Sequence, residues 1–129
     1  MKNETRKWLD YAQENLRSAR ILMDSGLYNP CLQNVQQGVE KLMKAVLVEL
    51  SGKFIKTHSI AKLKYEIDEM GVLFDITDEA CDFLDTIYLP SKYPVGSVLP
   101  DYVPDLEICK TCIEIGLRVE KSALKIICG

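Results

Sequence analysis

Gln36, Glu40 and Lys44 stand four residues apart in the stretch QQGVEKLMK, with Gln37 beside the first of them. On a helix these side chains stack along one flank, next to an apolar stripe of Val35, Val39, Leu42 and Val46. A Gln with a Glu–Lys pair at i, i+4 has an ordinary use as a solvated face, which stabilises a helix by roughly 0.2–0.5 kcal/mol. The same groups suit a second task, because amides hydrogen-bond the edge of a base or ribose and lysine meets phosphate. His58, the sole histidine, and Tyr88, Lys92 and Tyr93 of the segment YLPSKYP extend that set. Tyrosines stack on bases in single-stranded recognition, and Lys92 is a further cation for phosphate. Their ordinary uses are equally direct: tyrosines at the edge of a core, a solvated loop lysine, and a histidine satisfied by backbone at a helix start.

The five cysteines, Cys31, Cys81, Cys109, Cys112 and Cys128, are odd in number, and reduced thiols are the expectation. Cys109 and Cys112 have CxxC spacing, but zinc needs about four ligands and no second Cys or His pair is present. A redox CxxC usually opens a helix, where the dipole lowers the thiol pKa, whereas this pair follows Pro104 by more than a turn. Both read as small buried hydrophobes, and no metal or cofactor is expected.

At 129 residues, with 47% hydrophobic and 27% charged residues, the chain has the composition of one globular domain spanning 1–129. No apolar run approaches the roughly 20 residues needed to span a bilayer, and the start MKNETRKW lacks the apolar core of a signal peptide. A cytoplasmic location without membrane attachment is expected. The net charge of −3 conceals an asymmetry. Residues 41–64 carry Lys41, Lys44, Lys53, Lys56, Lys62 and Lys64 against Glu49 alone, whereas residues 66–85 carry acids and no base. The basic block could hold a phosphate backbone and the acidic block a basic partner, unless both are solvated faces. Nonspecific duplex binding is disfavoured by the acidic balance.

The elements that must position these residues are helical. Trp8, Leu9, Ala12, Leu16, Ala19 and Met23 recur at helical spacing, in a helix capped by Asn3 or Thr5 and ending near Gly26. A second helix is expected from Asn29-Pro30 to about Gly52, and a short third one capped by Thr57 or Ser59 and stopped by Gly71. Thr77 is placed to cap a fourth, with Asp78 and Glu79 in its first turn. Pro90, Pro94, Gly96 and Pro100 mark Leu89 to Val103 as a long irregular loop, and a last helix starts at Pro104. No strand alternation bounded by hairpin turns occurs, and the short link after the first helix forces antiparallel packing. The fold class is all-α, an antiparallel up-and-down bundle of four to five helices. A di-iron carboxylate bundle is excluded by the lack of an ExxH motif.

The last helix carries two apolar stripes, Leu106, Cys109, Ile113, Leu117, Leu124 and Ile127 on one side and Ile108, Cys112, Ile115, Val119 and Ile126 on another. A helix with so narrow a polar strip is central in its bundle or covered by a second subunit, which predicts a homodimer through it. Glu120 falls within the first stripe and needs either a base such as Arg20 or an opening to solvent.

Four features follow one another along the chain: a tryptophan-led first helix, the run Gln36, Gln37, Glu40, Lys41, Lys44, Ala45, then Thr57-His58 opening the third helix, and then FLDTIYLPSKYP. In this order they resemble the HEPN domain family over nearly the whole chain. The resemblance implies a helical bundle, usually dimeric, that binds nucleotides or RNA and often works beside a minimal nucleotidyltransferase in a toxin–antitoxin-like pair. It also implies, for some members, metal-independent ribonuclease activity through an Arg followed four to six residues later by His. This sequence departs from that motif, since its arginines are Arg6, Arg17, Arg20 and Arg118 and none lies at that distance before His58. A non-catalytic binding subunit is therefore the leading expectation. A ribonuclease with an altered site, using Lys92, His58 and a tyrosine, and a purely structural interaction subunit are the alternatives.

Overall fold

A computed structural model describes residues 1–92 and 103–129, with the side chains of residues 89–92 left out. Five α-helices follow in order: α1 (Asn3–Asp24), α2 (Tyr28–Ser51), α3 (Ile60–Glu69), α4 (Asp78–Lys92) and α5 (Leu106–Cys128). The described residues are all-α, as the sequence predicts. The short turn through Gly26, at φ 75°, sends α2 back along α1, and these two helices share the most extensive interface of the bundle. α5 packs on α2 and α1, while α3 and α4 pack on each other and on α2. Helix α2 is thus the common element and is buried along most of its length, from Cys31 to Val48. That burial is what its apolar stripe requires.

The close approach of α1, α2 and α5 depends on two positions without side chains. A Cβ at Gly38 would stand 3.0 Å from Leu16 Cδ2, and one at Gly116 would stand 2.8 Å from the same atom. Leu16 is therefore a knob seated between two glycines, one on each neighbouring helix. Around it lie Leu9, Ala12 and Ala19 of α1, Val35, Val39 and Leu42 of α2, and Cys109, Cys112, Val119 and Ala123 of α5, all buried.

Two helix starts differ from the sequence expectation. Neither Asn3 nor Thr5 caps α1; its N-cap is Lys2, with no side-chain cap bond. Thr5 is instead fully buried and donates to Glu49 Oε1 at 2.9 Å, so its hydroxyl ties α1 to the end of α2. Helix α2 begins at Tyr28, ahead of Asn29, which places Pro30 within the first turn, where amide hydrogens have no helical partner to lose. Ser59 and Thr77 do cap, accepting from the amides of Lys62 at 3.1 Å and Ala80 at 3.0 Å. Asp105 caps α5 through the amide of Ile108 at 2.8 Å. At the other end of α4 the helix continues through Pro90 to Lys92, four residues into the expected loop; the rest of that loop up to 102 lies outside the described residues.

The core face of α5 lies between the two stripes read from the sequence, along Cys109, Cys112, Ile113, Gly116, Val119 and Ala123. Leu106 and Leu117 remain exposed on the outer edge, with Leu124 and Ile127 half-buried beside them. Glu120 is half-buried on that same edge, and it forms no ion pair with Arg20 among the described residues. It sits where the stripe opens.

The glycine seat for Leu16 predicts a specific coupling. Leu16→Ala should cost about 2–5 kcal/mol. Gly116→Ala should also destabilise, because overpacking of about 1–3 kcal/mol outweighs the helix-propensity gain of about 1 kcal/mol. In the Leu16→Ala background the same Gly116→Ala change should stabilise. Urea unfolding of the four proteins in the cycle measures the sign reversal.

Candidate functional site

The flank Gln36–Glu40–Lys44 faces the interior. Gln36 is fully buried, and Glu40 and Lys44 are 3% and 4% exposed. It is therefore not a solvated face. Glu40 is the hub: Oε1 accepts from Gln36 Nε2 at 3.3 Å, Oε2 accepts from Lys44 Nζ at 2.9 Å, and both oxygens lie 3.2 Å from His58 Nδ1. Gln37, half-buried, donates from Nε2 to Gln36 Oε1 at 2.8 Å. No buried side-chain polar atom among the described residues is left without a partner. A buried acid is tolerable in such a setting because its oxygens are met by donors.

Two aromatic pairs close the network. Trp8 of α1 and Phe54 of the α2–α3 connector stack at 5.7 Å with an interplanar angle of 8°. Lys44 Nζ lies 5.6 Å from the Trp8 centroid and 5.3 Å from that of Phe54, within cation–π range of both. On the other side His58 stacks on Tyr88 of α4 at 4.8 Å and 18°. The connector 52–59 therefore returns across α2, held by Phe54 at one point and His58 at another. Its turn is launched by Gly52, at φ 70° with its amide on the Val48 carbonyl.

Asp85 of α4 fixes the end of the connector. Its carboxylate accepts from the Ser59 hydroxyl at 3.0 Å and from the amides of Ile60 at 2.6 Å and Ala61 at 3.2 Å. A carboxylate at a helix N-terminus is favoured by the dipole as well as by the amides. His58, Ser59, Asp85 and Tyr88 line a shallow groove of about 270 Å³.

A carboxylate only accepts, so with both Glu40 oxygens on Nδ1 the hydrogen must reside there. Nε2 then points away from the pair, on a side chain that is 57% exposed. Chemically, the site offers one oriented imidazole nitrogen and an aromatic stack over a buried neutral ion pair.

The structure thus joins Gln36, Gln37, Glu40, Lys44, His58 and Tyr88 into one assembly. Within it Gln36 and Lys44 are inner supports, while His58, Tyr88 and Gln37 form its outer edge. The side chain of Lys92 and all of Tyr93 lie outside the described residues. Trp8, Phe54 and Asp85 belong to the assembly and were not marked as site residues by the sequence. Phe54 did carry a signal, as an aromatic residue between lysines in a polar connector, whereas Asp85 was lost among eight acids.

The charge blocks are largely spent within the fold. Lys62 pairs with Glu66 at 3.3 Å, Lys64 with Asp68 at 2.9 Å and Asp78 at 3.3 Å, and Arg118 with Asp75 at 3.2 Å. Lys41 donates to Asn15 at 2.7 Å, and burial lowers its pKa. Of the basic block, Lys53 and Lys56 stay exposed on the connector. The thiols follow the hydrophobic reading: Cys31, Cys81, Cys109 and Cys112 are buried, and burial pushes Cys31, Cys81 and Cys112 up to about 12. No group of three or more His, Cys, Asp and Glu side chains among the described residues is arranged to hold a metal ion. Among those residues no helix is long and apolar enough to cross a membrane.

Comparison with known proteins decides the family. The HEPN domain model matches residues 5–126. The chain belongs to the HEPN family. Two solved structures share its fold over nearly their whole length. TT1696 from Thermus thermophilus is 24% identical, with a TM-score of 0.83, and the match covers 97% of this chain and 99% of that one. ST0689, described as an archaeal HEPN homologue, is 26% identical with a TM-score of 0.73, and the match covers 98% and 99%. A comparison with curated protein sequences finds no match. In this HEPN domain the assembly around Glu40 sits where the second helix meets the connector to the third.

Glu40→Ala leaves Lys44 charged and buried without its partner and should cost about 3–5 kcal/mol in urea unfolding. A Glu40→Met/Lys44→Met double variant should recover part of that loss, since buried ion pairs are commonly replaceable by apolar residues of similar volume, while Gln36 Nε2 keeps the cost of its lost acceptor. The double variant should still release the His58 ring from its fixed orientation, seen as averaging of the His58 and Tyr88 ring signals by NMR.

Proposed function

We propose that this HEPN protein is a non-catalytic module that binds a nucleotide or RNA, acting as a subunit beside a minimal nucleotidyltransferase in a toxin–antitoxin-like pair. The observation that carries the binding reading is the His58–Tyr88 stack, oriented from beneath by Glu40 and open to a groove at its edge. Exposed Lys53 and Lys56 on the same connector supply charge for phosphate. At about 270 Å³ the groove is at the small end of ligand sites and suits a base edge or a phosphate rather than an enclosed nucleotide. Gln37 would extend the site from α2, while the side chain of Lys92 and all of Tyr93, the other residues singled out in the sequence, lie outside the described residues. The nucleotidyltransferase partnership rests on the family resemblance.

The non-catalytic reading is supported by the sequence, in which no arginine lies four to six residues before His58. Among the described residues the ring contacts Glu40 and Tyr88. Metal-free RNA cleavage needs both an acid–base group and a cation for the phosphorane charge. The oriented Nε2 supplies the first, which keeps ribonuclease activity as the alternative reading. Titration of ¹⁵N-labelled protein with ATP, GTP and short RNA should move the signals of His58, Tyr88 and Lys53 and leave the RNA intact. No shifts there would contradict the proposal, and metal-independent cleavage abolished by His58→Ala would transfer the assignment to the ribonuclease.

The homodimer is proposed for the outer edge of α5, where Leu106 and Leu117 are exposed next to Leu124, Ile127 and Glu120. Light scattering at micromolar concentration should give a dimer, and Leu117→Glu should convert it to monomer. A clean monomer for the unmodified protein would refute this interface.

A further inference from the structure

A second aromatic surface lies on the other side of the ionic pair from the His58–Tyr88 stack. Phe54 is 50% exposed although it stacks on Trp8, and Tyr11, one turn further along α1, is 59% exposed. Trp8 and Tyr11 line a groove of about 570 Å³ with Asn3, Glu4 and Lys7. Enclosing Lys44 accounts for the Trp8–Phe54 stack, but it calls for neither the exposed face of Phe54 nor the exposed Tyr11 beside Trp8. Cations accompany these rings: Lys7 in the groove, Lys41, whose Nζ lies over the Tyr11 ring at 5.9 Å from its centroid, and the exposed Lys53, which precedes Phe54 in the chain. Glu4 lines the same groove, and Glu14 acts on Lys41, so the surface is mixed rather than uniformly basic.

Lys44 and Glu40 link the two aromatic surfaces beneath the connector. Lys44 Nζ is within cation–π range of Trp8 and Phe54 and 2.9 Å from Glu40, which holds His58 against Tyr88. The two stacks are therefore joined through the single Lys44–Glu40 pair and fixed relative to each other by a buried network. One mononucleotide covers one platform. Two adjacent stacking platforms with interspersed lysines match a single strand, whose unpaired bases offer successive faces and whose backbone offers successive charges.

We propose that Trp8, Tyr11 and Phe54 form a stacking platform that, together with His58–Tyr88, takes single-stranded RNA or DNA several nucleotides long. This deepens the binding reading above and rests on it. The ligand class is a single strand without strict base sequence, because every base has a face to stack while the surface offers few groups that read base edges.

Trp8 is the sole tryptophan, so its fluorescence reports directly on this platform. Titration of the full chain with single-stranded oligomers of about ten nucleotides should quench Trp8, with an affinity that falls as salt rises. ATP and GTP should bind more weakly and quench less, and a duplex of the same length should not compete. Phe54→Leu and Tyr11→Ala, both at exposed positions, should each weaken oligomer binding by about tenfold, and Tyr11→Ala, which lies off the connector, should leave the His58 and Tyr88 NMR signals of the free protein in place. Oligomer or nucleotide shifts at His58 without Trp8 quenching, or oligomer affinity unchanged in both variants, would overturn the platform and leave the binding reading standing. Absence of any response to nucleotide or oligomer would overturn both. Quenching by a copurifying protein but not by oligomers would assign the surface to a protein partner and overturn the proposal.

Discussion

A carboxylate buried in the middle of α2 has to be satisfied, and much of the molecule is arranged to do so. Glu40 is almost wholly enclosed, and it draws in Gln36 and Lys44 from its own helix and His58 from the connector. Each recruit brings a requirement of its own. The Gln36 carbonyl needs a donor and finds the Gln37 amide; Lys44, taken out of water, needs groups that still favour its charge and finds the faces of Trp8 and Phe54. His58 needs its ring held and finds Tyr88. The path of residues 52–59 follows from these demands, since Phe54 and His58 are anchored to the same ion pair from opposite sides.

Stability alone does not explain such a network. Taking two charges out of water costs several kcal/mol per ion, and apolar residues of similar volume commonly serve as well or better. What an apolar core cannot do is fix the tautomer and direction of an exposed imidazole. The network therefore reads as an orienting device, with its inner members satisfied and the exposed His58 ring held against Tyr88. Asp85 completes it by pinning the first turn of α3 to α4, so that the connector is held at both ends.

The helices were legible because their apolar periodicity and punctuation agree: Gly26, Gly52 and Gly71 stand at positive φ where α1, α2 and α3 end, and Ser59 and Thr77 cap as their positions suggest. Thr5 misled because a hydroxyl near a helix start serves equally well as a buried tie, and only the position of Glu49 on α2 distinguishes the two. The site was half legible. Spacing placed Gln36, Glu40 and Lys44 on one flank, but periodicity says nothing of what covers a flank, and both readings drawn from it assumed that it faced solvent or ligand. The cover is the connector, whose return depends on long-range partners. The opposed charge blocks meet in part for the same reason, since Lys64 and Asp78 are distant in sequence and adjacent in the fold. The apolar stripes of α5 were read correctly as sets but not as faces, because Gly116 and Ala123 let the core contact run between them.

The claim that Glu40 orients His58 through Nδ1 is open to one direct measurement. The chain has a single histidine, so long-range ¹H–¹⁵N correlation of its ring is free of overlap. For the neutral imidazole the expected result is a hydrogen on Nδ1 and a bare Nε2, with the Nδ1 signal moving on Glu40→Gln. A ring protonated on Nε2 with Nδ1 bare, unchanged in that variant, would contradict it.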